Sequence, residues 1–392
     1  MATGSGTHAQ VQFRAHMSTL PQVKRLGIVS SWNVKCGVAE YCAYLLEALS
    51  GCGFQLEIFS NRRQQTMKPD DSCVHRPWED TAETLPQLVR AILESGVNDV
   101  LVQYHHAFYP PQVLAALIEA LASEQVGVFV IHHATFHEEL CMTVPSLAKA
   151  AVNFVHSQAD LERFAFLGLG NVRLLPHGIY APPMSAEPEA HSPGEFVVGS
   201  FGFLMPHKGF LELISAAYLL KEHIPGLRLE LYAAEYPNQS SERLLTRCRE
   251  YIRYLGCADR VTLETDYMRI EEVITRLQRC HLVVFPYQHT RESSSASVRI
   301  GLASRRPVLC TPLEIFEDVR DTLHFIGGFD PFAIGAKILE LYRNPELLRR
   351  LGEREDVYLE THSWKSVALI AAAEIEARRG RLMRLAARAA AI

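Results

Sequence analysis

A carboxylate followed by three serines is the most chemically suggestive pattern in this 392-residue chain. Glu292 and the serines at 293–295 follow an apolar run at 282–285, and a helix-like segment at 296–304 leads to a second apolar run at 308–310. Small hydroxyl residues at a helix start leave backbone N–H groups free to hold an anion. Because a carboxylate would repel phosphate, Glu292 is expected to accept hydrogen bonds from a neutral sugar, although it could also serve only the helix dipole. The segment predicts a protein that handles a sugar carried on a phosphate.

A lysine in a glycine-flanked loop is a second candidate for phosphate binding. Lys208 follows a predicted strand at 196–198 and precedes a predicted helix at 211–220. A cation close to a helix N-terminus suits an anionic ligand. Gly202 and Gly209 permit close approach of the backbone. We therefore expect Lys208 to contact phosphate rather than only solvent.

Six of the 17 histidines lie where predicted strands end, which chance placement would rarely produce: His105, His106, His132, His133, His156 and His177. A histidine in such a place can polarise a hydroxyl or bind a phosphate oxygen, because both of its protonation states are accessible near neutral pH. His132 is the favoured functional residue. The spacing of His133 and His137 also suggests zinc, but no third ligand follows, so no metal site is expected.

Composition and missing motifs exclude several classes of protein. The formal net charge of −5 argues against a nucleic-acid partner. No run of eighteen apolar residues predicts a membrane span, and the first twenty residues lack a secretory signal. Nine cysteines without C-x-x-C spacing favour reduced thiols and a cytoplasmic location. The absence of G-x-G-x-x-G, a P-loop, G-x-S-x-G and D-x-D argues against nicotinamide enzymes, P-loop NTPases, α/β-hydrolases and metal-dependent sugar transferases.

Apolar runs alternating with helical patterns predict two open parallel sheets. The runs lie at 26–29, 56–59, 100–102, 126–131, 152–155 and 172–175, and again at 196–198, 227–231, 261–263, 282–285 and 308–310. Ligands of such sheets bind beyond the carboxyl ends of the strands. A proline-rich stretch without periodicity at 181–194 is the best linker candidate.

Seven segments of the chain, spread over residues 25–370, resemble motifs of glycosyltransferase family 4, in the same order. They read C-G-V-A-E-Y at 36–41, V-I-H-H at 130–133, P-H-G at 176–178, F-G-F-L-M-P-H-K-G at 201–209, F-P-Y…E-S-S-S-A-S-V-R at 285–299, R-P-V at 306–308 and S-W-K-S-V-A at 363–368. Members of that family are retaining enzymes of the GT-B fold. The resemblance implies two α/β domains, each Rossmann-like with a doubly wound parallel sheet, facing across a cleft, with a C-terminal helix crossing back.

The implied organisation divides the chain into five parts: a flexible tail at 1–22, an acceptor domain at 23–180, a linker at 181–195, a nucleotide-sugar donor domain at 196–356, and C-terminal helices at 357–392 packing on the first domain. The resemblance also implies roles for single residues. The catalytic candidates are His132, Lys208 and Glu292. The candidates for donor and phosphate binding are Gly37, Gly202, Ser293, Ser294, Ser295 and Arg299. The candidates on the acceptor side are Asn33, Glu40, Tyr104, His105 and His133.

The activity implied is transfer of a hexose from a nucleotide-diphosphate sugar to a hydroxyl of a glycan, a glycolipid precursor or a small molecule. By this likeness the leaving phosphate deprotonates the acceptor on the same face, and no metal or other cofactor is needed. Two positions depart from the family pattern: Phe203 replaces an arginine, and Ile300 replaces the second glutamate of E-x7-E. Arg299 or Arg291 could supply the missing positive charge.

These departures keep alternatives open. One is a catalytically impaired GT-B module that acts as a binding or scaffold partner, and another is a nucleotide-sugar epimerase. A further question concerns residues 367–392, where apolar residues at helical spacing alternate with arginines. Such a helix could contact an anionic membrane surface peripherally, or simply pack on the first domain with one solvated face.

Overall fold

The computed structural model describes residues 24–135, 138–180, 194–290, 292, 294–352 and 355–390. The expected N-terminal tail, residues 181–193 of the expected linker, His137, Arg291 and Ser293 lie outside these ranges. No helix within them is long and apolar enough to cross a bilayer.

The first domain is built on a seven-stranded sheet in the order β3-β2-β1-β4-β5-β6-β7, with every pairing parallel. Its strands are β1 Lys24–Val29, β2 Phe54–Asn61, β3 Val74–Trp78, β4 Asp99–Tyr104, β5 Gly127–His132, β6 Val152–Val155 and β7 Val172–Leu174. The connecting helices are α1 Gly37–Gly51, α2 Leu85–Ser95, α3 Pro111–Ser123, α4 Val144–Leu147 and α5 Gln158–Phe166.

The second domain repeats this plan with a six-stranded parallel sheet in the order β10-β9-β8-β11-β12-β13. Its strands are β8 Phe196–Phe203, β9 Leu227–Ala234, β10 Val261–Glu264, β11 Leu282–Phe285, β12 Val308–Cys310 and β13 His324–Phe325. Its helices are α6 Phe210–Leu219, α7 Gln239–Leu255, α8 Ile270–Leu277, α9 Ala296–Ala303 and α10 Pro331–Tyr342, and α11 Pro345–Gly352, α12 Glu355–Thr361 and α13 Trp364–Ala390 complete the chain.

Both faces of each sheet are buried, which explains why the central strands are continuously apolar. In β1, Leu26 and Ile28 enter one core while Val29 enters the core on the opposite face. In β8, Val198 and Val197 are likewise divided between the two faces. Alternate residues of a strand point to opposite faces, so a strand covered by helices on both sides needs an unbroken apolar sequence. The predicted pair of parallel α/β domains is confirmed.

Helix α13 crosses back to the first domain, as expected. Val367, Ala371 and Ile375 share one face of the helix and are buried in the same core as Leu45 and Leu49 of α1. Apolar residues spaced by four positions form such a face. The C-terminal helix therefore completes the core of the first domain.

An ion-pair cluster fastens the same helix. The fully buried carboxylate of Asp99 accepts hydrogen bonds from Arg378 Nη1 at 2.8 Å and Arg379 Nε at 2.6 Å. Two of the arginines that suggested a membrane surface are thus engaged with the protein.

The segment that ends the first domain, at Ile179, lies beside the segment near Ser363 that leads into α13. Ile179 and Ser363 form a parallel bridge, and the Ile179 N–H donates to the carbonyl of His362 at 2.9 Å. The Trp364 ring lies so close to Gly178 that a Cβ there would be 2.3 Å from it. Glycine at this position permits the close contact.

Candidate active site

The carboxyl ends of the two sheets face a shared cleft that encloses a cavity of about 400 Å³. Strand order reverses between β1 and β4 in the first sheet and between β8 and β11 in the second. Such reversals are where open parallel sheets bind ligands. The cavity brings together nine of the candidate catalytic and binding residues, Gly37, Glu40, His105, His133, Gly202, Lys208, Glu292, Ser294 and Ser295, and also the strand-end histidines His156 and His177.

Lys208 is buried in the second-domain wall of the cavity. Its Nζ donates to the Tyr287 hydroxyl at 2.7 Å and lies 4.0 Å from the centre of that ring. The Tyr287 hydroxyl also lies 3.1 Å from Ser295 Oγ. Burial alone would lower the pKa of Lys208, but Tyr287 and the Glu292 carboxylate outweigh it and raise the pKa above its usual value. The side chain is therefore a cation available to an anionic ligand.

The backbone around Lys208 explains its position. The short 3-10 turn Pro206–Lys208 ends at Gly209, whose φ of 73° lies in the left-handed region. A Cβ at Gly209 would lie 1.9 Å from the carbonyl oxygen of Pro286. Glycine thus allows the lysine loop to lie against the segment that carries Tyr287.

Glu292 lies beside this cation, with Oε1 3.8 Å from His207 Nε2. Burial raises the pKa of the Glu292 carboxyl, but Lys208 and His207 outweigh it, so the pKa falls below its usual value. His105, from the opposite wall, contributes in the same direction. A stable carboxylate next to a stable ammonium can bind both a hydroxylated group and an anion.

The N-terminus of helix α9 borders the same wall. Ser295 caps the helix by accepting the Val298 N–H at 3.3 Å, and Ser294 Oγ lies 3.2 Å from Asp318 Oδ2. Both serines line the cavity. The exposed backbone N–H groups of a helix start add a partial positive charge at this point.

Arg299 is not brought to the cavity, contrary to expectation. It is 2% exposed, and its guanidinium bonds to the carboxylate of Asp318, to the Ser295 carbonyl at 2.8 Å and to the His177 carbonyl at 3.4 Å. Because its position on α9 directs it into the protein, its hydrogen-bonding capacity is used internally. Arg299 is thus bonded to the helix start and does not line the cavity.

His132 is also placed away from the cavity. As the last residue of β5 it is fully buried against Phe164, and its Nε2 lies 3.0 Å from Asn153 Oδ1. His133, one position later, points to the opposite side and lines the cavity, with its Nε2 2.7 Å from Gln103 Oε1. Burial lowers the pKa of His132 to about 4 and that of His133 well below its usual range. Of these two adjacent histidines, His133 is therefore the one that lines the cleft.

Two candidates for the acceptor side make their contacts within the first domain. Asn33 Nδ2 donates to the Lys68 carbonyl at 2.5 Å and to Asp70 Oδ1 at 3.0 Å. Tyr104 is fully buried inside the first domain. Neither lines the cavity.

Glu40 does line the cavity and spans it. Its carboxylate accepts a hydrogen bond from the hydroxyl of Tyr267 in the second domain. Burial raises the pKa of the Glu40 carboxyl to about 7, although the hydrogen bond from Tyr267 acts in the opposite direction. The two walls are thus joined by a hydrogen bond to a carboxyl group that titrates near neutrality.

Comparisons with known proteins identify this architecture. No protein-family model matches the sequence, and no curated protein matches it. Sucrose-phosphate synthase from Thermosynechococcus elongatus is similar in structure, with 18% identity, a TM-score of 0.70, and coverage of 93% of this chain and 100% of that one. HepE from Anabaena, solved with UDP and glucose, has 12% identity and a TM-score of 0.68, and the match covers 90% of this chain and 100% of that one. An α,α-trehalose-phosphate synthase from Burkholderia xenovorans, solved with glucose-6-phosphate, has 10% identity and a TM-score of 0.67, and the match covers 90% of this chain and 99% of that one. The fold is GT-B.

At these identities the likeness shows the fold alone. Phe203 and Ile300, the two residues that depart from the motifs the sequence resembles, both line the GT-B cleft. Phe203 packs against Tyr236 at 5.3 Å and Tyr267 at 6.3 Å between ring centres, and Ile300 is 7% exposed. An aromatic and an aliphatic side chain thus line the cavity at these two positions.

Sequence reasoning overlooked Tyr41, which lies at the centre of the first-domain wall of the GT-B cleft. Its ring centre is 4.7 Å from that of His133, 5.4 Å from His156, 4.9 Å from His177 and 4.8 Å from Trp364. These side chains come from segments far apart in sequence. The motif C-G-V-A-E-Y contained the residue but gave no sign of its surroundings.

A metal site was not expected. Among the described side chains, no three His, Cys, Asp or Glu are grouped so as to hold a metal ion. The roles assigned to individual residues remain predictions.

Proposed function

We propose that this chain is a retaining glycosyltransferase of the family 4 type, moving a hexose from a nucleotide-diphosphate sugar to a hydroxyl acceptor without a metal ion. The observation that carries the proposal is the pairing of Lys208 with Glu292 on one wall of the GT-B cleft. An ammonium group next to a helix start suits a diphosphate, and an adjacent carboxylate suits sugar hydroxyls. HepE, which shares the fold, was solved with UDP and glucose.

In the proposed reaction, the bond between the anomeric carbon and the phosphate oxygen breaks. A bond from the same carbon to the acceptor oxygen forms on the same face. The acceptor proton moves to the departing phosphate oxygen. Lys208 stabilises the charge that develops on the diphosphate, and Glu292 orients the donor sugar.

The test is a transfer assay with a panel of nucleotide sugars, following nucleotide release and the product. Lys208→Ala should lower kcat/KM by roughly 100- to 1000-fold, the usual effect of removing a group that stabilises transition-state charge. Lys149→Ala is the control, because Lys149 is an exposed lysine outside the cleft. Inversion at the anomeric carbon, or loss of activity with a chelator, would contradict the retaining or metal-independent part.

A second candidate function is a nucleotide-sugar-binding module without catalysis. The replacement of two charges by Phe203 and Ile300 in the cavity favours it. Binding of a nucleotide sugar without transfer or hydrolysis, in both the wild type and Lys208→Ala, would support this candidate.

We further propose a cytoplasmic location with peripheral membrane contact through the exposed end of α13. Arg381, Leu382, Met383 and Arg384 are all exposed. Changing both Arg381 and Arg384 to Gln should reduce co-sedimentation with anionic vesicles. Equal sedimentation of the variant and the wild type would contradict the proposal.

A further inference from the structure

In three histidines of the first-domain wall, hydrogen bonds within the protein determine which ring nitrogen carries the hydrogen. His133, His156 and His177 each donate one N–H to an oxygen that can only accept: the side-chain oxygen of Gln103 at 2.7 Å, the carbonyl of Leu175 at 2.9 Å and the carbonyl of Gly178 at 2.8 Å. A neutral imidazole carries one N–H and one acceptor nitrogen. Burial lowers the pKa of all three rings, which keeps them neutral. Each ring therefore presents one remaining nitrogen that accepts hydrogen bonds.

Two polar atoms on this wall are buried without a partner. Tyr41 is 3% exposed and His156 is 2% exposed, and both line the cavity. Neither the Tyr41 hydroxyl nor His156 Nε2 has a hydrogen-bond partner among the residues that the structure describes. Buried polar atoms are almost always satisfied in folded proteins, so unpartnered ones in a cavity indicate a ligand that bonds to them.

The charge on this wall disfavours an anion. Among the described residues that line the cavity from the first domain, none is a lysine or an arginine, and the one carboxylic acid is Glu40. Arg299, which lies close to His177, is neutralised by Asp318. A phosphate group placed against this wall would meet neutral nitrogens and a carboxyl group.

We infer that the first-domain wall binds a neutral polyhydroxyl acceptor, whose hydroxyl hydrogens bond to the free imidazole nitrogens and to Tyr41, and that it selects against phosphorylated sugars. The inference deepens the proposed function and rests on it, because only a transferase needs an acceptor site in this position. The chemistry differs from that of the opposite wall, where Lys208 provides for an anion.

The inference is tested by calorimetric titration of the UDP-saturated protein with matched pairs of ligands: glucose, mannose and myo-inositol, each against its phosphate monoester. At least one neutral polyol should bind ten times or more tightly than its monoester. Binding of no neutral polyol, or equal or tighter binding of the monoesters, would overturn the inference. Polyol binding without transfer from any nucleotide sugar would overturn the proposed function and the name of acceptor, and would leave standing only the preference of this wall for neutral polyols. Transfer to a monoester in preference to its polyol would support the proposed function and overturn the inference.

The Tyr41→Phe variant isolates the hydroxyl. It keeps the ring and removes an oxygen that has no partner in the described part of the chain. The affinity for the neutral polyol should therefore fall about tenfold, while the urea midpoint of unfolding does not fall. Tyr254→Phe, at a tyrosine that is 83% exposed, is the control and should change neither quantity. Unchanged polyol affinity in Tyr41→Phe, or a loss matched by a lower urea midpoint, would show that Tyr41 serves only the fold and would overturn its part in recognition.

Discussion

At the scale of single residues, the main cation of the cleft is held by a phenol. Lys208 is bonded to the Tyr287 hydroxyl and lies over the same ring, so one tyrosine both orients the ammonium group and covers it. A hydrogen bond to a charged group contributes about 1.5–3 kcal/mol, and a desolvated cation–π contact contributes about 2 kcal/mol. Tyr287 is therefore a positioning residue for Lys208.

Tyr287→Phe should lower kcat/KM for the proposed transfer by at least tenfold, because it removes the hydrogen bond and keeps the ring. Steady-state kinetics with the donor varied will measure this. Tyr218→Phe is the matched control, since Lys221 lies 4.5 Å from the centre of that ring and neither residue lines the cavity. Full activity in Tyr287→Phe would show that the ring alone positions the lysine.

Glu40 makes the stability of the fold depend on pH. Its pKa is about 7 in the folded protein, against a usual value of 4.5, so the folded state binds the proton more tightly than the unfolded state. The stabilisation is complete below pH 4.5 and is lost as pH rises through 7. Relative to Glu40→Gln, the wild type should therefore lose free energy of unfolding between pH 5 and pH 8. Urea denaturation at both pH values will show this, and a constant difference would contradict it.

At the scale of elements, Gly209 sets the spacing between the lysine loop and the segment after β11. Gly209→Ala should destabilise the fold by about 3 kcal/mol or more, because it combines a positive φ with a clash against backbone. Gly256→Ala is the control, with a φ of 61° and no atom within 4 Å of the added methyl group, and should cost only about 1 kcal/mol. Equal losses in the two variants, measured by urea denaturation, would show that the contact with Pro286 is unimportant.

The Asp99 cluster makes a second prediction about an element, helix α13. Asp99→Asn should cost about 3–5 kcal/mol, because it leaves Arg378 and Arg379 without their carboxylate in a largely buried place. Glu119→Gln removes an exposed ion pair with Lys149 and should cost less than about 1 kcal/mol. Chemical denaturation will compare the two variants.

The sequence predicted the elements better than it predicted the faces of their residues. Continuous apolar runs were sufficient to find the central strands, whereas β3, V-H-R-P-W, was missed because an edge strand tolerates proline and needs little apolar surface. The choice of His132 over His133 as the residue facing the cavity has a related cause. A strand end next to two histidines does not reveal which of them faces the ligand, since a one-residue offset reverses the side.

Contacts between distant segments were beyond the sequence. The burial of Arg299 depends on Asp318, and the surroundings of Tyr41 depend on three strand ends and on α13. Apolar periodicity shows which face of a segment is buried away from water, but it does not show which other segment covers that face. The positions that the family pattern left unfilled, Phe203 and Ile300, were identified from sequence and do lie in the cavity.

At the scale of the whole molecule, the first domain depends on the end of the chain. Truncation after His362 should expose the apolar surface of α1, including Leu45 and Leu49, which α13 buries. The truncated protein should bind a dye for exposed apolar surface and aggregate, whereas truncation after Arg384 should leave the protein folded. A truncation after His362 that stays monomeric and unfolds with the wild-type midpoint would contradict this dependence.

The neighbouring segments at Ile179 and Ser363 should restrict the movement of one domain relative to the other. Because the Ile179 and Ser363 segments are bonded to each other, we expect the two domains to rotate about this point rather than to slide on one another. Trp364 directly follows Ser363 and contacts the rings of Tyr41 and His177. We therefore expect the wall that we assign to the acceptor to keep its distance from this point, and an opening of the cleft to displace mainly the wall that carries Lys208.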